Sequence, residues 1–153
     1  YYLFVKADDA NKVVEGNEGN NVSAPITLTI AAAGKPDLRI ANVRLDDRTI
    51  RKGEDTTIRY DVVNDGTAES AGATQGIYIS TRSSFDSSAR RIDEDDVGRI
   101  AAGDRDGESE RLDKLDDYAR GSYYLFVVAD DRSDVAELNE GNNISVSTQI
   151  WIT

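Results

Sequence analysis

The sequence has no cysteine, no histidine and no methionine. Those three absences exclude disulfide staples, thiolate chemistry, imidazole base catalysis and soft-metal centres. It has only two prolines and one tryptophan, and no apolar run approaches the roughly 18 residues that a bilayer-spanning helix needs. Basic charge is scarce too: 18 lysines and arginines stand against 29 aspartates and glutamates, a net charge of −11. Nucleic acid and anionic membrane surfaces carry the same sign and are argued against as partners. The acid is mostly aspartate, 20 of 29, and the base mostly arginine, 13 of 18. Such a surface suits salty surroundings or cation binding, and genomic base composition explains it as well. Lack of cysteine does not place the protein inside a cell, and no signal peptide is visible.

What is present, first, is an internal repeat. Residues 1–31 lie over residues 123–153 without a gap, at an offset of 122 (123 minus 1). Tyr-Tyr-Leu-Phe-Val, Ala-Asp-Asp and Asn-Glu-Gly-Asn-Asn recur letter for letter, the signature of a repeat architecture. A last quarter that also stands at the front is expected when a tandem array is cut out of phase with its domains. Residues 1–31 then read as the C-terminal hairpin of a preceding repeat, 32–35 as a short linker closed by Pro36, and 36–153 as one complete domain.

Within the repeat, residues 1–7 and 22–30 read as paired strands, joined by a stretch of turn formers. Lys6 stands where Val128 stands, so that position is expected to point outward, and Tyr2, Phe4, Tyr124 and Phe126 with it by the two-residue period. Tyr1, Leu3, Val5, Tyr123, Leu125 and Val127 are then expected to face a core. Residues 38–45 form a strand whose apolar phase changes between Ile40 and Val43, which suggests a bulge. Residues 46–55 read as a polar loop. Residues 56–63 alternate cleanly, with Ile58, Tyr60 and Val62 inward, and stop at a turn around Asp65-Gly66. Residues 75–80 form a strand with Ile77 and Ile79 inward. Residues 82–96 read as a long polar loop or a weak edge strand near 89–92, and 97–100 as a short strand. Leu112 and Leu115 are the expected anchors of residues 108–115. About seven short strands with no helical period indicate an all-β sandwich.

Pro36-Asp37-Leu38, Val63-Asn64-Asp65-Gly66-Thr67-Ala68, Ile77-Tyr78-Ile79-Ser80, and Asp130 followed by Val135, Glu137, Asn139-Glu140 and Asn142-Asn143 resemble the CARDB family, the cell adhesion related domain found in bacteria. The tail motif carries the specificity. The resemblance implies a seven-stranded sandwich like immunoglobulin or fibronectin type III domains, in extracellular prokaryotic proteins, often in tandem and often beside hydrolases. It implies no catalysis and no fixed ligand, and no cofactor is expected apart from a possible Ca²⁺.

Several groups of residues invite a functional reading. Asp130, Asp131, Glu137, Asn139 and Glu140, with Asn142 and Asn143 and the copy at Asp8, Asp9, Glu15, Asn17, Glu18, Asn20 and Asn21, offer oxygen ligands for Ca²⁺. The same side chains can instead cap the hairpin's own N–H groups, and that reading, which needs no ion, is preferred. Residues 104–107 fail the spacing of an EF-hand loop, and the acidic run 93–96 reads as solvated. A pair of carboxylates suits glycoside hydrolysis, yet no cleft is indicated and catalysis is not expected. Asn21 and Asn143 each open a glycosylation sequon. Outward Tyr124 and Phe126 form an aromatic stripe that stacks on a sugar or another domain unless something covers it.

The expectation is a non-enzymatic structural and adhesion module from a long extracellular or cell-surface tandem array, a stalk or fibre whose partners are adjacent copies, surface glycans or other cells. Two alternatives stand beside it: a carbohydrate-binding or targeting accessory domain of a secreted hydrolase, and a calcium-rigidified adhesin.

Overall fold

The structure is a computed structural model that describes residues 1–113 and 115–153. It divides into two units, Tyr1–Ala33 and Gly34–Thr153.

The larger unit is a sandwich of two sheets. One sheet orders β3 (Leu38–Leu45), β5 (Thr56–Asn64) and β8 (Arg105–Leu112) side by side, β5 in the middle. The other has five strands in the order β4 (Thr49–Ile50), β10 (Thr148–Ile152), β9 (Gly121–Val128), β6 (Ala73–Ser80) and β7 (Arg90–Val97). Every pairing is antiparallel except the short β4 against β10. The inward face of β5 is read directly from its alternation: Thr56, Ile58, Tyr60, Val62 and Asn64 are all buried, and the residues between them are half-exposed. Ile77, Ile79, Leu125, Val127 and Ile150 from the five-stranded sheet close against them in one apolar core. Leu112 and Leu115 belong to it, as expected.

The phase change in β3 is a bulge. The register against β5 shifts between Ala41 and Arg44, and Asn42 takes a left-handed φ of 52°, with its side-chain amide donating to Asp61 Oδ2 at 2.7 Å. β7 contains a second bulge. Ile92 and Val97 both reach the core although they are an odd five positions apart (97 minus 92), which a regular two-residue period forbids. The register slips opposite Ile77 and Tyr78, where Asp93 and Arg91 are the successive partners and Ile92 is the extra residue. Residues 82–96 are therefore half loop and half edge strand, and the charge that hides the strand also guards its open edge.

Two further expectations are corrected. Residues 46–55 are not a continuous polar loop, because β4 lies within them and Ile50 is buried. Residues 97–100 are not a separate strand: β7 ends at Val97, and Ile100 is held by a backbone N–H bond to Ser70 Oγ at 3.1 Å.

The smaller unit is a hairpin in which β1 (Tyr2–Leu3) pairs with β2 (Ile26–Thr27) and a single bridge joins Lys6 to Val22. Tyr1, Leu3 and Val5, expected to face a core, are exposed, as are Tyr2 and Phe4. Two short strands have no second layer of their own to bury a face against.

Candidate functional site

The loop from β9 to β10 carries the repeat's acidic and amide residues. Asp130 begins it with a left-handed φ of 43°, and its two carboxylate oxygens accept the backbone N–H groups of Asp134 and Val135 at 3.0 and 2.9 Å. Glu140 accepts from Glu137 N–H at 2.9 Å, and Asn139 from Gly141 N–H at 3.0 Å. Ser145 Oγ accepts from Val127 N–H at 2.9 Å. The loop is thus shaped by side chains that satisfy backbone donors the ladder leaves over.

The same loop fastens the start of β3. Glu137 reaches across to accept Leu38 N–H at 2.5 Å, Leu138 N–H donates to Pro36 O at 2.8 Å, and Asn142 Nδ2 donates to Asp37 Oδ1 at 2.9 Å. A carboxylate oxygen from each of Asp130, Glu137 and Glu140 lies within 4.8 Å of the others, with Asp130 and Glu137 buried and Glu140 exposed. Burial pushes the carboxyls of Asp130 and Glu137 above the usual range, against the hydrogen bonds they accept.

Of the five candidate ligands, Asp131 and Asn139 stand apart. Asp131 accepts the Tyr78 hydroxyl at 2.7 Å and pairs with Arg91 at 3.2 Å, while Asn139 is spent on its local turn. Burial and that bond push the Tyr78 phenol up to about 12. Asn143, one of the two sequon residues, is buried at 8% exposure and donates from Nδ2 to Glu137 Oε1 at 3.2 Å; Asn21 is half-buried.

The first copy repeats the capping bonds of this loop, though not the bond between Asn143 and Glu137. Asp8 accepts from Lys12 and Val13, Glu18 from Glu15, Asn17 from Gly19, and Ser23 Oγ from Val5, each pair displaced by 122 from its counterpart. Strand register agrees as well, Tyr2 opposite Thr27 and Tyr124 opposite Gln149. The copies differ in surroundings: Leu125 and Val127 are fully buried, whereas Leu3 and Val5 are 52% and 62% exposed.

The aromatic stripe is covered. Phe126 does point away from the core, but it is only 2% exposed, because Phe85 from the loop before β7 sits edge-on against it at 5.4 Å and against Tyr78 at 5.1 Å. Tyr124 is half-buried. The lone phenylalanine in a polar stretch was the available signal for that cover. An open hollow of about 600 Å³ lies elsewhere, beside Arg90, Ile92, Tyr118 and Tyr123.

Against this geometry, the family model of CARDB matches residues 35–147. The chain belongs to the CARDB family. A CARDB domain is a non-catalytic, cell-adhesion-related domain. The chain is similar to the CARDB domain of a Pyrococcus furiosus protein, solved in complex with di-metal ions, at TM-score 0.59 and 16% identity over 78% of this chain and 90% of that one. A domain of a putative cell surface protein from Methanosarcina acetivorans matches at TM-score 0.54 and 22% identity, covering 78% and 93%. β-Glucosidase 3B from Thermotoga neapolitana, in complex with α-D-glucose, matches at 0.54 and 13%, covering 76% of this chain but 16% of its own. At these identities the likeness is one of fold, a β sandwich. No curated protein matches the sequence. No helix among the described residues is long and apolar enough to cross a membrane.

Proposed function

We propose that this CARDB chain is a structural and adhesion module of an extracellular or cell-surface tandem array, in which residues 34–153 are one bead and residues 1–33 are the closing hairpin of its neighbour. The observation that carries this reading is the recurrence of the same capping bonds in the two hairpin loops combined with the opposite burial of their apolar faces. A segment that holds the register and caps of the β9–β10 hairpin, yet leaves its leucine and valine exposed, is shaped for a second sheet. The acidic surface keeps such beads soluble at high local concentration. Phe126 is only 2% exposed, so of the two outward aromatics half-buried Tyr124 is the one left to contact a sugar or another domain.

The test supplies the missing sheet from the chain's own sequence. Placing a second copy of residues 34–122 ahead of Tyr1 creates a continuous chain in which residues 1–31 stand where 123–153 stand in the complete sandwich. Amide exchange in residues 1–33 is expected to be fast in the 153-residue chain and to slow by orders of magnitude in the extended one. Exchange that stays fast in the extended protein sinks the reading.

A further inference from the structure

The outer face of the three-stranded sheet is charged: Arg39, Arg59 and Arg111 point outward from β3, β5 and β8, and each is in an ion pair. One end of the other sheet's outer face is different. Ile50, Ile150 and Ile152 are buried, so Thr49, Gln149 and Trp151 turn outward by alternation. Ser122 stands opposite Trp151 on β9, and Tyr124 opposite Gln149; paired residues share a face. Five adjoining side chains from three strands therefore carry no charge, in a chain of which 31% is charged.

Trp151 and Tyr124 are diagonal neighbours on this face, a relation that sets residues about 7 to 8 Å apart. Among the described residues no other ring covers either one, and Trp151, the chain's single tryptophan, is 42% exposed. Their polar tips are uncommitted as well. The hydroxyls of Tyr60, Tyr78 and Tyr123 each donate to a protein oxygen, whereas the Trp151 indole N–H and the Tyr124 hydroxyl have no hydrogen-bond partner among the described residues. Between the two rings Gln149 Nε2 donates to Ser122 Oγ at 2.8 Å, which holds an amide and a hydroxyl in place. Beside Tyr124 the face is bounded by a step: its β6 partner Ser80 is buried and accepts Arg82 N–H, at the start of the loop that carries Phe85 onto Phe126. The hairpin motif does not itself require the tryptophan, since Thr29 occupies its place in the first copy.

We propose that Trp151, Tyr124, Gln149 and Ser122 form a binding face for a neutral polysaccharide, with pyranose rings stacking on the two aromatic side chains. A pyranose presents apolar C–H faces and a rim of uncharged hydroxyls that both donate and accept. The rings take the first, and the indole N–H, phenol, amide and serine hydroxyl take the second. A protein partner fits less well, because a stable interface needs about 800 Å² and about 20 to 30 residues on each side, and this face offers five side chains between a strand edge and a loop. The proposal gives the adhesion role a ligand and rests on that part of the reading above. It does not need residues 1–33 to belong to a neighbouring bead, so the amide-exchange result and the sugar result can fail separately.

The test is native affinity electrophoresis of the 153-residue chain through gels containing hydroxyethylcellulose, galactomannan or dextran, with polygalacturonate as the acidic control. At least one neutral polymer is expected to retard the chain and to shift its fluorescence to the blue, a signal that arises from Trp151 alone. Trp151→Thr sets at this position the residue of the first copy and changes an exposed site, so melting is expected to hold; retardation is expected to fall by about tenfold or more, with Trp151→Phe recovering part of it. Leu138→Ala, exposed on the β9–β10 loop, is expected to bind as the parent does. No retardation and no emission shift with any neutral polymer overturns the proposal, as does retardation that Trp151→Thr leaves intact or retardation by polygalacturonate alone. A dimer that Trp151→Thr converts to monomer also overturns it, since the occupant is then a second copy.

Discussion

Asn64 is fully buried, and each prong of its amide has work to do. Nδ2 donates to the carbonyls of Ala68 and Ile100 at 2.8 and 2.9 Å, while Oδ1 accepts the N–H groups of Asp37 and Gly66 at 3.1 and 3.0 Å. Four backbone groups from the strand entry, the turn and the loop before β8 therefore meet on one side chain. Gly66 completes the turn by having no side chain: a Cβ there would stand 2.4 Å from Lys35 O and 2.6 Å from Asp37 N. Leucine at position 64 matches the volume but leaves all four partners without a bond. Unsatisfied buried groups cost about 1–3 kcal/mol each, and partial relaxation limits the sum. Asn64→Leu is expected to destabilise the sandwich by about 3 kcal/mol or more, read as a drop in the denaturant midpoint at unchanged slope.

Strands β7 and β8 are each an edge strand, one in either sheet, and both are charged on their outer faces. Where they approach, Glu108 is lifted to about 7, first by burial, then by the carboxylates of Asp95 and Asp106, a hydrogen bond with Asp95, and Glu110. Glu110 is raised by burial and by Asp95 and Asp93. The Tyr60 hydroxyl, which donates to Asp95 at 3.3 Å, is held protonated by the same surroundings. A carboxyl whose folded value lies above its unfolded one binds its proton more tightly when folded. Its contribution is therefore full in acid and fades as pH rises through the window from the ordinary glutamate range to about 7. Melting temperature is expected to climb as pH falls from 8 to 5. Glu108→Gln is expected to flatten that climb and to raise melting at pH 8 by a few degrees, followed by thermal scans across the range.

At the scale of the whole chain, residues 34–153 hold the entire apolar core and residues 1–33 hold none of it. Cooperative unfolding should therefore report the 120 residues of the larger unit (153 minus 33). At about 0.7 kcal/mol per residue near 60 °C, that is about 84 kcal/mol against about 107 for the full length. Calorimetry is expected to give the smaller enthalpy for the 153-residue chain, with a single transition. An enthalpy matching all 153 residues would mean that the hairpin melts cooperatively with the rest.

The sequence by itself determined the β-sandwich class, the repeat and its offset, the inward faces of β5, β6 and β9, and the bulge in β3, because each rests on local period or on a letter-for-letter match. It gave the site's loop as well, since Asp130 and Glu140 shape that loop through bonds only three to five residues long. Tertiary structure alone decided what lay across the sheets: that Phe85 covers Phe126, that β4 pairs with β10, that Ile92 is a bulge, and that Asp130, Glu137 and Glu140 converge while Asp131 turns to Tyr78. Loops with the same motif and the same caps end up exposed in one copy and enclosed in the other, because burial is a property of neighbours distant in the chain, which a local pattern does not contain.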